Sequence, residues 1–140
     1  MERKSMMNKI LSDGGTPGIL AYIAEKPVGW CSIAPRSEFI LLERSRILKP
    51  VDDKEVWSIV CFYVNKRHRR QGVMSGLIYA SVEFAKSQGA RVVEAYPIDT
   101  ANGGYPDPYA YTGILSAFKE AGFSEVTRRS PKRPIMRIRI

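Results

Sequence analysis

The sequence predicts an α/β domain whose sheet holds a central pair of parallel strands. Residues 56–64 are almost continuously apolar and rich in β-branched and aromatic side chains, as in a strand covered on both faces. From Gly72 onward the apolar residues recur with the period of a helix, and Gln88-Gly89 provides a glycine to end it. A second strand follows at residues 91–96. Because a helix joins these two strands, we expect them to be parallel.

The segments around this unit predict a short N-terminal helix, a hairpin, a long irregular connection, a second helix and two final strands. The Ala121-Gly122-Phe123 turn ends the second helix. The predicted N-terminal helix covers residues 2–11, and the two hairpin strands cover residues 18–24 and 28–34. The irregular connection covers residues 35–53, and the second helix covers about residues 110–120.

Length and composition indicate one domain. A chain of 140 residues, 44% of them hydrophobic, buries one core and has no room for two, so we expect a single domain over residues 1–140. No apolar run reaches the roughly 18 residues of a membrane span, and the N-terminus lacks the apolar region of a signal peptide, so we expect a soluble, cytoplasmic protein. Cys31 and Cys61 lie in predicted strands and His68 stands among arginines, which favours buried free thiols and no metal site.

The net charge of +8 requires an explanation, because a basic surface attracts polyanions. The cations fall into two clusters, at residues 66–70 and 128–139. In the second cluster Arg137 and Arg139 alternate with apolar residues, so we expect them on the outward side of a terminal hairpin. Neither cluster is accompanied by a helix-turn-helix, an RNA-binding aromatic pair or a zinc finger. A nucleic-acid-binding domain is therefore the weaker alternative.

The first cluster lies between a strand and a helix, where proteins commonly bind phosphate. Lys66, Arg67, Arg69 and Arg70 precede Gly72, whose missing Cβ lets the backbone approach a ligand. The free N–H groups and the dipole of a helix N-terminus both favour an anion. Spacing alone fits a solvated basic turn equally well. The segment has neither the Gly-Lys-Ser/Thr of a P-loop nor the Gly-x-Gly-x-x-Gly of dinucleotide-binding folds.

Together, the strand, the basic turn and Gly72 resemble motif A of the GNAT superfamily of acyl-CoA-dependent N-acyltransferases. In that motif a valine follows the strand and Arg/Gln-x-x-Gly-x-Gly/Ala opens the helix. Val64, Arg69 and Gly72 occupy these positions, and Met74 replaces the second small residue. The resemblance extends over about residues 18–140. It implies a mixed, mostly antiparallel sheet with helices on both faces, and acetyl-CoA as cosubstrate. The residues that it implies for CoA binding are Phe62, Tyr63, Val64, Arg69, Arg70, Gln71, Gly72, Val73, Met74 and Ser75.

Two features distinguish this chain within the superfamily. Members usually begin with a strand and two helices, whereas fewer than about twenty residues precede the first predicted strand here. We therefore expect the N-terminal strand to be missing, and the open sheet edge favours a homodimer. Four short segments are similar to those of a bacterial subgroup: Gly29-Trp30-Cys31, Ala34-Pro35-Arg36, Glu94-Ala95-Tyr96-Pro97 and Tyr111-Thr112-Gly113.

The resemblance implies that a neutral amine attacks the thioester carbonyl of acetyl-CoA. A backbone N–H at the end of the motif strand, here that of Val64, would stabilise the oxyanion. Some relatives place a glutamate base six residues before the motif valine, where this chain has Ser58. Glu94 on the adjacent strand is our substitute for this base. An ordinary Glu–Arg ion pair is the competing interpretation of Glu94.

A second proton is needed by the leaving thiolate, and many relatives supply it from a tyrosine. That position is Phe118 here, four residues before Gly122. Tyr111 is our replacement for the acid, with Tyr109 near it in sequence.

The sequence therefore predicts an N-acetyltransferase that acts on a small-molecule or peptide amine. A relative that binds acyl-CoA with little catalysis is the main alternative, because Ser58 and Phe118 leave both proton-transfer positions empty. The basic nucleic-acid-binding domain is the second alternative.

Overall fold

A seven-stranded sheet with helices on both faces organises the protein. The computed structural model describes residues 6–11, 18–65, 72–99 and 115–140. The strands are β1 (Met6–Leu11), β2 (Gly18–Ile23), β3 (Lys26–Pro35), β4 (Trp57–Val64), β5 (Val92–Ala95), β6 (Ser124–Arg128) and β7 (Pro134–Arg139). The helices are a 3-10 turn (Arg36–Glu38), α1 (Ile40–Arg44), α2 (Val73–Ser87) and α3 (Leu115–Glu120). The order across the sheet is β1-β2-β3-β4-β5-β7-β6.

The parallel pair lies in the middle of the sheet, as predicted. β4 and β5 pair in parallel from Trp57 opposite Val93 to Ile59 opposite Ala95, and the other strand pairs are antiparallel. β5 then ends, whereas β4 continues to Val64 in pairing with β3. The two central strands therefore separate after Ile59 and Ala95. We call this point the fork.

A β-bulge lies next to the fork. Cys31 of β3 pairs with Phe62, but Ser32 pairs with Val60, so Cys61 is an extra residue in β4. A bulge increases the local twist of its strand and redirects the residues that follow. Cys31 is buried, as predicted, and its sulfur lies 3.1 Å from the hydroxyl of Ser81 in α2.

The alternation of side chains along β5 separates two cores. Val93 and Ala95 point to the face covered by α2 and α3, which we call the α2 face. Glu94 and Tyr96 point to the opposite face, which the 3-10 turn, α1 and the segment to residue 56 cover. The apolar core of that second face is small and consists of Leu42, Leu48, Tyr96 and Ile135, with partly buried neighbours.

The prediction of a helix at residues 2–11 and of a missing N-terminal strand was wrong. Met6–Leu11 forms β1, which pairs antiparallel with β2 along its whole length. A short isolated helix is marginal in water, whereas the edge of β2 offers a row of unpaired backbone groups. Hydrogen bonding to that edge therefore outweighs the local helix preference. The connection predicted as irregular also contains the 3-10 turn and α1.

Three glycines end or begin helices in the left-handed conformation. Gly72, Gly89 and Gly122 have φ angles of 78°, 90° and 100°, respectively. Gly89 and Gly122 confirm the two predicted helix ends. Of the helix predicted at 110–120, the described part is α3, and residues 110–114 lie outside the described ranges.

The close approach of β3 to α2 predicts a measurable cost for adding one methyl group. A Cβ at Gly29 would lie 2.7 Å from Cγ1 of Val73 and 3.2 Å from the carbonyl oxygen of Tyr63. We expect Gly29→Ala to lower the free energy of unfolding in urea by about 1–3 kcal/mol. The same change should cost less in a Val73→Ala background, which removes the nearest atom. Equal stability of Gly29→Ala and wild type would contradict this packing.

Candidate active site

The start of α2 presents an open backbone to solvent. Gly72 has a left-handed φ of 78°, and among the described residues, its chain neighbours apart, no heavy atom lies within 4 Å of the position that its Cβ would take. Its carbonyl accepts a hydrogen bond from Gly76, which closes the first turn of the helix. The first N–H groups of α2 have no acceptor within the helix, and such groups at a helix N-terminus favour an anion. The predicted contacts Arg69, Arg70 and Gln71 lie outside the described residues.

The side chains that follow Gly72 divide between core and surface. Val73 and Met74 are buried in the α2-face core, and Ser75 is exposed. The bulk of Met74 is thus taken up by the core, so it does not narrow the space beside Gly72. Of the predicted CoA contacts in this turn, the backbone groups and the Ser75 side chain are the accessible ones.

The end of β4 forms one side of the fork. Phe62 and Val64 point into the α2-face core, whereas Tyr63 is 51% exposed. The backbone N–H of Asn65 donates to the carbonyl of Val28, so β4 stays attached to β3 beyond its last residue. Any contact of Phe62 or Val64 with a ligand in the fork would therefore come from the backbone.

Phe118 occupies a core position. Its ring is fully buried between Phe62 and Phe123, at centroid distances of 5.8 and 5.1 Å in edge-to-face geometry. Aromatic pairs in this geometry stabilise a core beyond their buried area. The position at which many relatives carry an acidic tyrosine is thus an apolar packing site here. Tyr111, the predicted replacement, lies outside the described residues.

Glu94 is a fully buried carboxylate with two cationic partners. Nη1 of Arg36 donates to Oε1 at 3.2 Å, and Nε of Arg137 donates to Oε2 at 2.7 Å. The hydroxyl of Tyr96 donates to Oε1 at 2.7 Å. These contacts correspond to the Glu–Arg ion pair that competed with the base assignment, except that both arginines are almost buried. The role of Glu94 as a base stays a prediction.

Tyr96 connects this carboxylate to β4. Its hydroxyl oxygen lies 2.7 Å from Nη1 of Arg36 and 2.7 Å from Oγ of Ser58. Because Tyr96 donates its one proton to Glu94, Ser58 must donate to Tyr96. Burial, together with the negative charge of Glu94, raises the pKa of Tyr96 far above its usual range, so the phenol stays protonated. We call Arg36, Ser58, Glu94, Tyr96 and Arg137 the polar cluster.

Arginines also hold the segment that covers this face. Nη2 of Arg36 donates to the carbonyls of Leu42 at 3.1 Å and Leu48 at 2.6 Å. Arg129 donates to the carbonyls of three residues of the same segment, Ile47, Lys49 and Pro50. Nε of Arg36 also lies 3.3 Å from Oε1 of Glu43. This distance is short enough for an ion pair, but the two atoms do not form a hydrogen bond.

The expected outward orientation of Arg137 was wrong. Its side chain is 11% exposed because the covering segment lies over it, and both of its terminal nitrogens donate to Asp52, at 2.8 and 3.0 Å. Arg128 forms ion pairs with Asp99 at 2.8 Å and Glu125 at 2.7 Å. Two arginines of the second basic cluster, Arg128 and Arg137, are therefore paired with carboxylates within the protein.

Sequence reasoning singled out Ser58, Glu94 and Arg137 separately, but not the cluster that they form. Arg36 and Tyr96 lie in two of the short segments that are similar to those of a bacterial subgroup. The predicted mechanism gave neither residue a role. Within the described ranges, no group of three or more His, Cys, Asp or Glu side chains is placed to hold a metal ion. None of the described helices is long and apolar enough to cross a membrane.

A mostly antiparallel sheet that forks at the one parallel pair among its described strands, next to the start of a helix, matches the GNAT fold. The chain belongs to the GNAT acetyltransferase family, whose model, "Acetyltransferase (GNAT) family", matches residues 2–104. This match confirms the resemblance found in the sequence. No curated protein sequence matches the chain.

Solved structures share this fold at low sequence identity. An acetyltransferase of the GNAT family from Streptococcus pneumoniae is 14% identical, with a TM-score of 0.59 over 92% of this chain and 69% of that one. A GCN5-related N-acetyltransferase from Kribbella flavida is 14% identical, with a TM-score of 0.60 over 89% and 68%. The NatC complex bound to Gag peptide and CoA is 10% identical, with a TM-score of 0.59 over 88% and 70%. At these identities the similarity concerns the fold alone.

The ion pair between Asp52 and Arg137 predicts a pH-dependent contribution to stability. Hydrogen bonding to Arg137 lowers the pKa of Asp52 from 3.8 to about 2. A group with a lowered pKa in the folded state stabilises that state above its unfolded pKa, and loses this effect as the pH falls through the folded value. We expect Asp52→Asn to unfold at lower urea concentration than wild type at pH 6, and the difference to close between about pH 4 and 2.

Asp53→Asn is the matched control, because Asp53 is an exposed neighbour that lies outside this ion pair. It removes the same formal charge and should leave the urea midpoint close to that of wild type at pH 6. Two variants with the same midpoint at pH 6 would show that the Asp52–Arg137 pair contributes nothing.

Proposed function

We propose that this protein transfers an acetyl group from acetyl-CoA to an amine by direct attack on the thioester. The observation that carries the proposal is the fork between β4 and β5, which opens beside the accessible start of α2. The fork provides space for the extended thioester group of acetyl-CoA. The start of α2 provides backbone hydrogen-bond donors for its phosphates. Membership of the GNAT acetyltransferase family supports both assignments. The similar fold of NatC, a complex bound to CoA, agrees with them.

Each part of the site has a separate task in this proposal. The backbone around Gly72, with Arg69, Arg70 and Gln71, binds the phosphates. The backbone N–H of Val64 stabilises the oxyanion in the fork. The amine must lose a proton, because only about one alkylamine in a thousand is neutral near pH 7.4 at a pKa of about 10.4. Glu94 and a chain of water molecules are the two candidate routes for that proton.

A weakly catalytic acyl-CoA-binding protein is the second candidate. Two observations favour it: Phe118 is an apolar core residue, and the oxygens of Glu94 already accept three hydrogen bonds. A nucleic-acid-binding function loses support, because Arg128 and Arg137 are paired with carboxylates.

A homodimer and a cytoplasmic location complete the proposal. The edge of β2 gives no reason for a dimer, since β1 covers it. The outer edge of β6 does give a reason. β6 is the last strand in the order across the sheet and pairs with β7 on one side, and Val126 is 43% exposed. A sheet edge of this kind can pair with the edge of a second copy. Light scattering at tens of micromolar distinguishes a dimer from a monomer.

The proposed phosphate site predicts that a negative charge at Gly72 abolishes CoA binding. Wild type should show a higher melting temperature with acetyl-CoA, by the equivalent of about 2.7 kcal/mol at 100 times the Kd. Gly72→Asp should lose this shift, because its carboxylate repels the phosphates and its side chain fills the open space. Gly89→Asp is the matched control. Gly89 is also left-handed, at φ 90°, also has open space, and lies at the other end of α2.

Normal acetyl-CoA binding by a folded Gly72→Asp variant would place the site elsewhere. Binding of an oligonucleotide with steep salt dependence, and no binding of CoA, would favour a nucleic-acid-binding function. Thiol release from acetyl-CoA, measured with a panel of alkylamines, arylalkylamines, lysine and short peptides, then identifies the acceptor class. Tight binding without thiol release for any amine would favour the weakly catalytic acyl-CoA-binding protein.

A further inference from the structure

One hydrogen bond of the polar cluster spans the two strands beside the fork. Ser58 of β4 lies directly opposite Glu94 of β5, and Tyr96 is the first residue after β5 ends. The 2.7 Å contact between the hydroxyls of Ser58 and Tyr96 therefore joins the strands next to the point where their backbone ladder stops. A side-chain contact at this position fixes how far the strands diverge.

The Tyr96 hydroxyl is held from three sides. It donates to Glu94 on its own strand, accepts from Arg36 of the 3-10 turn, and accepts from Ser58 on β4. Tyr96 is 1% exposed, and Ser58 and Glu94 are fully buried. Because every partner is buried and has a defined direction of donation, the hydroxyl has one low-energy position. A buried hydroxyl whose donor and acceptor positions are all used in this way makes the structure around it rigid.

We propose that Tyr96 is a positioning residue that sets the separation of β4 and β5 at the fork, with Ser58 as its contact and Arg36 and Glu94 as its supports. This inference rests on the proposed function, in which the thioester enters the fork. Both oxygens of Glu94 already accept hydrogen bonds from Arg36, Tyr96 and Arg137, so the cluster is better suited to hold a geometry than to act on a substrate. A displacement of about 1 Å in a reacting centre can cost about 10²-fold in rate.

Tyr96→Phe tests the inference, because it removes the hydroxyl and keeps the ring. We expect the rate of thiol release from acetyl-CoA to fall about 10- to 100-fold, with the best amine of the panel or with water as acceptor. The Kd for CoA, measured by calorimetry, should change less than about threefold, because its phosphates bind away from the fork. The ratio of the Kd values for acetyl-CoA and CoA should change, since the acetyl group lies in the fork.

Ser81→Ala is the matched control for a lost buried hydroxyl. Ser81 is fully buried and contacts Cys31 at 3.1 Å, on the α2 face of the sheet. It should lower the melting temperature as a buried hydrogen bond does, while the rate and the Kd ratio stay at wild-type values. Equal losses of rate in Ser81→Ala and Tyr96→Phe, or no loss in Tyr96→Phe, would overturn the inference.

Ser58→Ala is the milder second variant, because it deletes one partner of Tyr96 and leaves the arginines and Glu94 paired. It should slow thiol release in the same direction as Tyr96→Phe. The double variant should be no slower than the slower single variant, since both changes remove the same contact. Rate losses that multiply would mean that the two hydroxyls act independently, and would overturn the inference.

Glu94→Gln separates positioning from proton transfer. Arg36, Arg137 and Tyr96 face this carboxylate, and a positioning role predicts the same factor of loss at every pH from about 6 to 9. A loss that shrinks at high pH, where the amine deprotonates unaided, would identify Glu94 as the base and overturn the inference. Failure of wild type to bind acetyl-CoA would refute the proposed function itself. That outcome is distinguishable from a pH-independent and from a pH-dependent loss of rate in Glu94→Gln.

Discussion

The fold depends on keeping one buried carboxylate compensated. A buried ion costs several kcal/mol unless it is paired and hydrogen-bonded, and removal of one partner leaves the other charge uncompensated. Glu94 meets this requirement with two arginines that come from different parts of the chain. Arg36 brings the connection between β3 and β4 onto the sheet, and Arg137 brings β7 next to β5. The position of the central strand β5 is therefore tied to that of two other parts of the fold.

The same electrostatic requirement explains how an irregular segment covers half of the sheet. The apolar core beneath α1 is small, so burial of hydrophobic surface contributes less here than on the α2 face. Irregular backbone leaves carbonyl groups that need donors. Arg36 and Arg129 supply these donors to five carbonyls of the segment, and Arg137 binds its carboxylate at Asp52. These arginines, which contribute to the basic composition, thus stabilise the fold, a role that is unrelated to nucleic acid.

The sequence predicted the parts of the fold that depend on local pattern. The apolar run of β4, the helical period of α2 and the glycines at 89 and 122 are each readable within a few residues, and each was confirmed. β1 was not predicted, because pairing with β2 decides its conformation. Apart from the contact between Glu94 and Tyr96, the hydrogen bonds of the polar cluster join residues that are 38 to 60 positions apart, so no local pattern contains it. The alternation around Arg137 predicted a strand correctly, but a segment from elsewhere in the chain covers the side that was expected to face water.

The replacement of both proton-transfer positions makes geometry the main remaining source of rate. A thiol has a pKa near 8.5, so a thiolate leaves without an acid at a cost of about 10²- to 10⁴-fold. A missing base costs a similar factor, because the fraction of neutral amine then limits the rate. Correct placement of two reactants is equivalent to an effective concentration of about 10⁵–10⁸ M, which exceeds either loss. Under the proposed function, an enzyme of this type would retain useful activity as long as its fork is rigid, and our inference assigns that rigidity to the buried polar cluster beside Ile59 and Ala95.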